Sequence, residues 1–344
     1  MIVVDKDSLA REIGVDVLKP LPRDVSPREY FRGRKDDRDF ILMLYPDASA
    51  PHREEMLCFI RLGAWLDQQG VKAPTLYEKD EQQCYALFED LGAQSFGACL
   101  RDCSVGRAEL YILATDVLKT LGQSGNLPDG LPLYKDSRTH ENRRQIVDYY
   151  MTLLRKEHTS EQTLQSYLSM WDEIESALPL CPQGFVHGDF HLENMIYVTY
   201  EGGLKRCGLI DYQDALHGSL PYDLVNLLED ARIDVPQDLR VAMIDRYCAG
   251  MSAQEKFTFL DWYRVLGTQF HCRVLGLFIK LSAEQGRDSY LVHINRLQNY
   301  IKDALENPIL SPLKLWFEKE GVDFSSIKDL DGDIIRKIFR NTSF

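Results

Sequence analysis

The sequence predicts an α+β fold with two lobes, a small N-terminal lobe of sheet and helix at 1–90 and a larger, mainly helical lobe at 91–344. Short strands separated by turn residues dominate the first ninety residues, whereas long amphipathic helical patterns dominate the remainder. The change of pattern falls at FEDLG, residues 88–92. A chain of 344 residues is long enough for two domains, since a domain typically has roughly 100–200 residues.

The first lobe is predicted to begin with a short helix over 7–13 and then to run strand, strand, helix, strand, strand. YFRGRKDDRDFILMLYP, residues 30–46, is predicted to be a β-hairpin, with YFRGR as one strand, KDDRD as the turn and FILMLY as a buried strand. Apolar side chains recur with helical spacing over 52–69, and Gly70 suits the position after the helix end. Two further short strands are predicted between residues 71 and 92.

The second lobe is predicted to be helical at 107–122, 141–178, 222–231, 237–250, 253–283 and 287–305. Between these patterns lies FVHGDFHLENMIYV, residues 185–198, which we interpret as a polar hairpin region between two buried strands. GLKRCGLIDYQDA, residues 203–215, follows as a short strand that ends in acidic residues.

Composition restricts the class of protein. The net charge is −13 and the isoelectric point is near 5.1, which argues against nucleic acid as a partner because phosphate binding needs a basic face. The chain has no apolar run near the roughly 20 residues that span a bilayer, and none of its eight cysteines forms a CxxC pair. We therefore expect a reduced, cytoplasmic protein with a small-molecule substrate, and the sequence predicts no oligomeric state.

HGDFHLEN permits three interpretations. Its polar residues can simply cap backbone groups in a loop. His187, Asp189 and His191 alternate and could together hold a metal, as in a metallohydrolase, although such a site usually needs further ligands.

The third interpretation is phosphoryl transfer. In such sites one Asp accepts the proton of the attacking hydroxyl, while an Asn five residues later and a second, downstream Asp hold magnesium. Asp189 and Asn194 have this spacing, and Asp211 follows the apolar run GLI. Because all three residues occur in this order beside short strands, the combination favours a phosphotransferase over a simple loop.

HGD-x4-N, followed by IDYQD and by the Asp of PYDLVNLL, resembles the aminoglycoside phosphotransferase and choline kinase superfamily, whose fold is the protein-kinase fold. SPREYFR, LFEDLG, LPLYKD and ENRRQIVDYYM resemble one branch of it, the anomeric N-acetylmuramate/N-acetylglucosamine kinases of bacterial cell-wall recycling. The similarity runs from about residue 20 to about residue 320. It implies a protein-kinase-like two-lobe fold with ATP and Mg²⁺ as cofactors, bound partly by the N-terminal, nucleotide-binding lobe.

The resemblance also implies residue roles. Asp189 would be the catalytic base, Asn194 and Asp211 would hold magnesium, and His187 and Asp223 would support the loop. The chain at the lobe boundary would contact the adenine, through Phe88, Glu89, Asp90 and Leu91.

One departure concerns the phosphate-binding lysine that many kinases carry in a strand of the small lobe. Met43 occupies roughly that position in this chain. Arg28 and Arg32, on the preceding strand, are the candidate replacements.

The acceptor site is the least determined part. The resemblance suggests four substrate-binding residues, namely His191, Tyr134, Glu141 and Arg144. Three alternatives stay open: a kinase of the same fold that acts on an aminoglycoside, choline or homoserine, a nucleotide-binding pseudoenzyme, and the metallohydrolase.

Overall fold

The computed structural model describes residues 9–11, 13–15, 18–22, 28–325 and 330–342. Its chain divides into two compact units, the first made of Met1–Gly130 and His191–Ala215, the second of Leu131–Phe190 and Leu216–Phe344. The units thus do not follow a single boundary near residue 90, because the helices after that residue and the segment from His191 onward fold with the sheet. That residues 1–90 form the nucleotide-binding lobe remains a proposal.

The first unit contains a five-stranded antiparallel sheet with the strand order β1-β2-β3-β5-β4. Its strands are β1 (Lys19–Pro20), β2 (Glu29–Lys35), β3 (Arg38–Leu44), β4 (Leu76–Asp80) and β5 (Tyr85–Glu89). Strands β2 and β3 form the predicted hairpin, and both turn residues, Asp36 and Asp37, have positive φ angles of 49° and 61°. Such a two-residue turn matches the twist of paired strands.

Helix α1 (Ala50–Gln68) confirms the predicted helix over 52–69. Gly70 follows its end with a φ of 76°, a conformation that glycine adopts without strain. On the buried face, Phe59 stacks on Tyr212 at a centroid distance of 4.4 Å and meets the edge of Phe88 at 5.0 Å. This aromatic stack joins α1 to β5 and to the residue after Asp211. Of the opening helix predicted over 7–13, residues 9–11 are helical, whereas residues 7, 8 and 12 lie outside the described residues.

The rest of the first unit comprises two helices and a small hairpin. These are α2 (Phe96–Asp102), α3 (Arg107–Gly122) and the antiparallel pair β7 (Met195–Tyr197) and β8 (Cys207–Leu209). A 3-10 turn over Leu192–Asn194 leads into β7. Helix α2 was not foreseen, since seven residues are too few for a clear helical period.

The second unit has one two-stranded sheet, in which β6 (Gln183–Val186) pairs antiparallel with β9 (Leu216–Ser219). Its helices are α4 (Arg138–Glu141), α5 (Thr152–Arg155), α6 (Glu161–Ser176), α7 (Pro221–Leu228), α8 (Gln237–Cys248), α9 (Ala253–Gln285), α10 (Ile294–Leu305), α11 (Ser311–Lys319) and α12 (Gly332–Asn341). Helix α9 is the central element, since α7, α10 and α12 all pack on it. It begins with a capping box between Ser252 and Glu255 and ends at Gly286, whose φ is 66°.

Three sequence interpretations need correction. The pattern over 141–178 is not one helix: it contains a 3-10 turn, a π-helix over Ile146–Met151 and α5, and then stops at Lys156, whose φ is 57°. The pattern at 287–305 begins with a 3-10 segment, and only α10 is α-helical. The strands around the polar stretch at 185–198 do not pair with one another, because β6 pairs with β9 and β7 with β8.

The break in the 141–178 pattern coincides with a close approach of two backbones. A Cβ atom on Gly276 of α9 would overlap both the carbonyl carbon and the oxygen of Gln145. Only glycine fits at this point. The π-helix starts at the next residue, Ile146, so the distortion lies where α9 meets this segment.

All eight cysteines are unpaired, and Cys103 at the end of α2 is the exposed one. Burial raises the pKa of the Cys84 thiol to about 11 and that of the Cys272 thiol to about 12. Of the helices in the described ranges, none combines the length and apolar character needed to cross a bilayer.

Candidate active site

Asp189 lies in the second unit, directly after β6, and its loop is held by a buried carboxylate. The backbone N–H groups of His187 and Gly188 donate to Asp223 at 2.6 and 3.0 Å. Asp223 is 2% exposed and belongs to the first turn of α7. The Asp189 N–H points toward Nδ1 of His187 at 3.4 Å. Asp189 itself is exposed, so its carboxylate is presented to solvent on a fixed backbone.

Burial raises the pKa of Asp223 from 3.8 to about 6, although His187 and the two N–H donors act in the opposite direction. Removal of a carboxylate from water disfavours its charged form, and hydrogen bonds offset this desolvation cost only in part. The cost is tolerated because two orphan donors of the Asp189 loop are satisfied. Asp223 thus contacts the backbone of the Asp189 loop rather than solvent, and its supporting role remains a proposal.

The predicted magnesium ligands both lie in the first unit, at the adjoining ends of β7 and β8. The Ile210 N–H donates to the Asn194 carbonyl at 3.1 Å. This hydrogen bond brings Asn194 next to Ile210, the residue that precedes Asp211. Asp211 has a φ of 61°, an uncommon conformation for a residue with a side chain. Gln213 donates to Asp211 Oδ1 at 3.0 Å and so helps to orient the carboxylate.

Carboxylate and amide oxygens are hard ligands of the type that Mg²⁺ takes, with water and phosphate oxygens completing the shell. The Asn194 and Asp211 side chains supply this donor set on neighbouring strand ends. Among the described residues, no group of three or more His, Cys, Asp or Glu side chains is arranged to hold a metal. The residues therefore fit magnesium, while the His-x-Asp-x-His zinc site gains no support from the geometry.

Arg28 lies beside the Asp211 carboxylate. Its Nη2 is 3.6 Å from Asp211 Oδ1, and its Nε is 3.4 Å from Oε1 of Glu55 on α1. The residue is 7% exposed. Met43, at the strand position where kinases often carry lysine, is fully buried and accepts a contact from the Tyr30 hydroxyl at 3.6 Å. The geometry thus places a helix-anchored cation next to one proposed magnesium ligand. The first two residues of SPREYFR, at 26 and 27, lie outside the described residues.

Arg32 has different partners. Its Nη2 donates to Asp90 Oδ1 at 3.0 Å and to the Gly92 carbonyl at 3.2 Å. The contact ties β2 to the chain after β5. The geometry therefore favours Arg28 over Arg32 as the phosphate cation, although both assignments stay predictions.

The predicted adenine-contacting segment runs from the end of β5 into the following turn. The Glu89 carboxylate accepts from Lys72 Nζ and the Thr75 hydroxyl, each at 2.7 Å, and from the Tyr200 hydroxyl at 2.8 Å. Leu91 is 6% exposed and packs on Ile196 and Val198. Side-chain contacts thus anchor Glu89 and Leu91, one on each side of Asp90.

The four predicted substrate-binding residues have unequal surroundings. His191 is 6% exposed, and its ring lies against the Glu193 N–H and the Asn194 amide, which suits an orienting role. Glu141 is exposed, and exposed Arg144 pairs with Asp148 on its own helical face at 2.7 Å. Neither gains support as a substrate contact, so these assignments remain predictions.

Tyr134 is partly buried, in contrast to exposed Glu141 and Arg144. Its ring centroid is 5.4 Å from that of Tyr222 and 5.5 Å from that of His140. Tyr222 in turn accepts a hydrogen bond from Arg273 at 3.1 Å. Tyr134 thus belongs to a polar and aromatic cluster next to α7.

Sequence reasoning missed or ranked low several residues of this region. Glu55 belongs to no motif, and its partner Arg28 lies on another element. Gln213 lies within IDYQD, but that motif did not assign it a role. Gln269 and Arg273 are four residues apart on α9, so they share a face. They reach Glu175 and Tyr222, whereas His271 is buried between Glu229 and Tyr300. The i, i+4 spacing was the available signal.

The fold and sequence resemble known proteins. Among solved structures, an ADP-bound aminoglycoside phosphotransferase superposes with a TM-score of 0.56 at 13% identity, covering 87% of this chain and 97% of that one. A choline kinase from Streptococcus pneumoniae gives 0.56 at 12% identity, covering 88% and 98%. At such identities the likeness shows the fold alone, and it confirms the predicted kinase-like α+β architecture.

Curated relatives are closer in sequence. An N-acetylmuramate/N-acetylglucosamine kinase of Caulobacter vibrioides is 28% identical, over 86% of this chain and 90% of its own. The protein of the same name from Pseudomonas aeruginosa is 27% identical, over 84% and 83%. The model of the phosphotransferase enzyme family matches residues 17–260, well over half of the chain. The chain therefore belongs to the phosphotransferase enzyme family and is an ATP-dependent kinase.

Proposed function

We propose that the protein phosphorylates the anomeric hydroxyl of N-acetylmuramate and N-acetylglucosamine, with ATP as the donor. The observation that carries the proposal is that relatives with this name match more than four fifths of both chains. Aminoglycosides, choline and homoserine remain competing acceptors. The likeness to aminoglycoside and choline kinases is one of fold alone.

Asp189 is the proposed base. It accepts the proton of the anomeric hydroxyl as the sugar oxygen bonds to the γ-phosphorus and the bond from that phosphorus to ADP breaks. The two N–H bonds from the Asp189 loop to Asp223 keep the carboxylate in one place. Positioning of this kind is a large part of catalysis in phosphoryl transfer, where misplacement by ~1 Å can cost about 100-fold in rate.

Asn194 and Asp211 are the proposed magnesium ligands. Bound magnesium would neutralise phosphate charge. Gln213 orients the Asp211 carboxylate for this task. Arg28, anchored by Glu55, supplies the cation that Met43 cannot. Two opposite charges that are fully exposed to water attract each other only weakly. At a separation of ~4 Å and an effective dielectric constant near 20, the attraction between a cation and a phosphate charge is about 4 kcal/mol before the desolvation cost is subtracted.

The backbone of Phe88 to Leu91 is the proposed adenine contact. The side-chain anchors of Glu89 and Asp90 support this proposal, because a fixed backbone loses little entropy when a ligand binds.

A panel of acceptors tests the function. N-acetylmuramate, N-acetylglucosamine, an aminoglycoside, choline and homoserine would each be incubated with ATP and magnesium, and ADP release measured. We expect turnover with the two sugars, and phosphorus NMR should show the product phosphate coupled to the anomeric proton. ADP release with another member of the panel and none with either sugar would refute the proposal.

The role of Asp189 has its own test. Asp189→Asn should lower turnover about 10²- to 10⁴-fold, the range for loss of a general base. Asp238→Asn, which removes an exposed carboxylate on α8, is the matched control and should keep its rate. A near-normal rate in Asp189→Asn would assign the base elsewhere.

A further inference from the structure

Arg273 is a partly buried cation that lacks an acidic partner. It lies on α9, where Nη2 donates to the Tyr222 hydroxyl at 3.1 Å and the guanidinium sits 5.5 Å from the Phe270 ring centroid. Within the described ranges, no carboxylate comes within ion-pair distance of it. A guanidinium has five N–H donors, so most of its hydrogen-bonding capacity is unused here.

Three other arginines of the second unit have acidic partners. Arg143 pairs with Glu175 at 3.0 Å, Arg144 with Asp148 at 2.7 Å and Arg232 with Asp230 at 3.2 Å. A partly buried charge without an opposite charge is costly, and it persists where a ligand supplies the partner. Unlike these three arginines, Arg273 has no carboxylate within ion-pair distance among the described residues, so an external anion could bind its free N–H donors.

Arg273 also lies near the proposed base. Its partner Tyr222 immediately precedes Asp223, the residue that holds the Asp189 loop. Burial lowers the pKa of Arg273, but Tyr222, Tyr134 and Asp189 outweigh this and raise it overall, so the side chain stays charged. An anion bound by Arg273 would therefore belong to a molecule that reaches Asp189.

The two proposed sugars differ in one charged group. N-acetylmuramate is N-acetylglucosamine with a lactyl ether on the C3 oxygen, and the lactyl group ends in a carboxylate. Planar guanidinium groups bind carboxylates through two parallel hydrogen bonds, which gives both energy and orientation. We propose that Arg273 binds the lactyl carboxylate of N-acetylmuramate and so sets the preference between the two sugars. The inference rests on the proposed function.

Kinetics with matched substrates test it. The wild-type protein and Arg273→Gln would be assayed with N-acetylmuramate, its lactyl carboxamide and N-acetylglucosamine. In the variant, kcat/KM for N-acetylmuramate should fall about 10- to 100-fold, the size of a lost charged hydrogen bond, mainly through KM. N-acetylglucosamine should change by less than about threefold by the same reasoning, because it has no group for Arg273 to bind. The wild-type protein should discriminate against the carboxamide, and the variant should not.

Lys280→Gln is the control, because Lys280 is a cation on the same helix two turns away, placed over the Tyr149 ring at 5.7 Å. It should leave the ratio between the sugars unchanged. Arg273→Lys should restore part of the preference, since it keeps the charge but not the planar fork. Turnover of N-acetylglucosamine in the same preparation reports whether each variant is folded.

Two results would overturn the inference. If Arg273→Gln lowers kcat/KM equally for both sugars, Arg273 acts on a group that they share, such as the transferred phosphate. If the wild-type protein has the same kcat/KM for the carboxamide as for N-acetylmuramate, the lactyl carboxylate has no charged partner in the protein. If the wild-type protein phosphorylates neither sugar, it is the proposed function that fails. Should Arg273→Gln not fold, the carboxamide comparison on the wild-type protein still decides.

Discussion

Replacing Asp223 with asparagine should change the way in which the free energy of unfolding depends on pH. The pKa of Asp223 is raised from 3.8 to about 6 in the folded protein. A difference of about two units corresponds to about 3 kcal/mol. Because the folded pKa is the higher one, the folded state holds the proton more tightly. The contribution of Asp223 to the free energy of unfolding is therefore fully present below pH 3.8, and it is lost as the pH rises through about 6.

The amide introduced by Asp223→Asn cannot ionise, so the variant lacks this pH-dependent loss. It does lose an acceptor, because one of the two N–H donors, from His187 or Gly188, then faces an NH₂ group that cannot accept from it. That cost is about 1–3 kcal/mol and does not depend on pH. Between about pH 4.5 and pH 7.5 the stability of the variant relative to the wild-type protein should therefore improve by about 2 kcal/mol.

Urea unfolding at a series of pH values between these limits measures the difference. Asp238→Asn provides the comparison, since it removes an exposed carboxylate on α8 that accepts no backbone N–H from the Asp189 loop. Stability curves of Asp223→Asn and the wild-type protein that run parallel across the range would refute the raised pKa. Turnover gives a second measurement, and it should fall in Asp223→Asn at every pH because the Asp189 loop loses one of its two anchors.

Three further predictions concern other parts of the chain. Gly276→Ala should destabilise the protein by about 3 kcal/mol or more, measured by urea unfolding, because the new methyl group would overlap the backbone of Gln145. Gly125→Ala is the control, since Gly125 has open space around it. Equal stabilities of the two variants would contradict the close approach. Asp211→Asn should raise the magnesium concentration for half-maximal activity at least about tenfold, and an unchanged titration would remove Asp211 from the metal site. Arg28→Gln should raise KM for ATP about tenfold, as expected for the loss of a charged contact, while Arg32→Gln should mainly lower stability through lost contact with Asp90. The reverse pattern would make Arg32 the phosphate cation.

Elements with a clear local period could be predicted from sequence. The hairpin at residues 30–46 and helix α1 follow from alternation, turn residues and spacing, and the structure confirms both. The pattern over 141–178 could not reveal its break, since the amphipathic spacing continues through the π-helix. The π-helix begins where Gly276, which is far away in sequence, closely approaches the backbone of Gln145 and Ile146.

The candidate site divides in the same way. Asp189, Asn194 and Asp211 could be selected from sequence because they lie in two neighbouring polar segments, 185–198 and 203–215. Arg273 could be ranked only below these residues, because spacing along α9 does not show what surrounds it. Its contact with Tyr222, 51 residues away, and the lack of an acid within ion-pair distance among the residues that the structure describes depend on the fold. A lone arginine in an apolar helix gives no such information.

The state of the sulfur atoms has a practical consequence. Cys103 is exposed at the end of α2, while burial holds the thiols of Cys84 and Cys272 in the protonated, unreactive form at neutral pH. Burial also raises the pKa of the half-buried Cys58 thiol. A maleimide dye should therefore attach selectively to one place on the natural chain, without prior removal of other cysteines. Such a label, attached at the end of α2 in the first unit, would let fluorescence follow nucleotide binding in a protein without engineered cysteines.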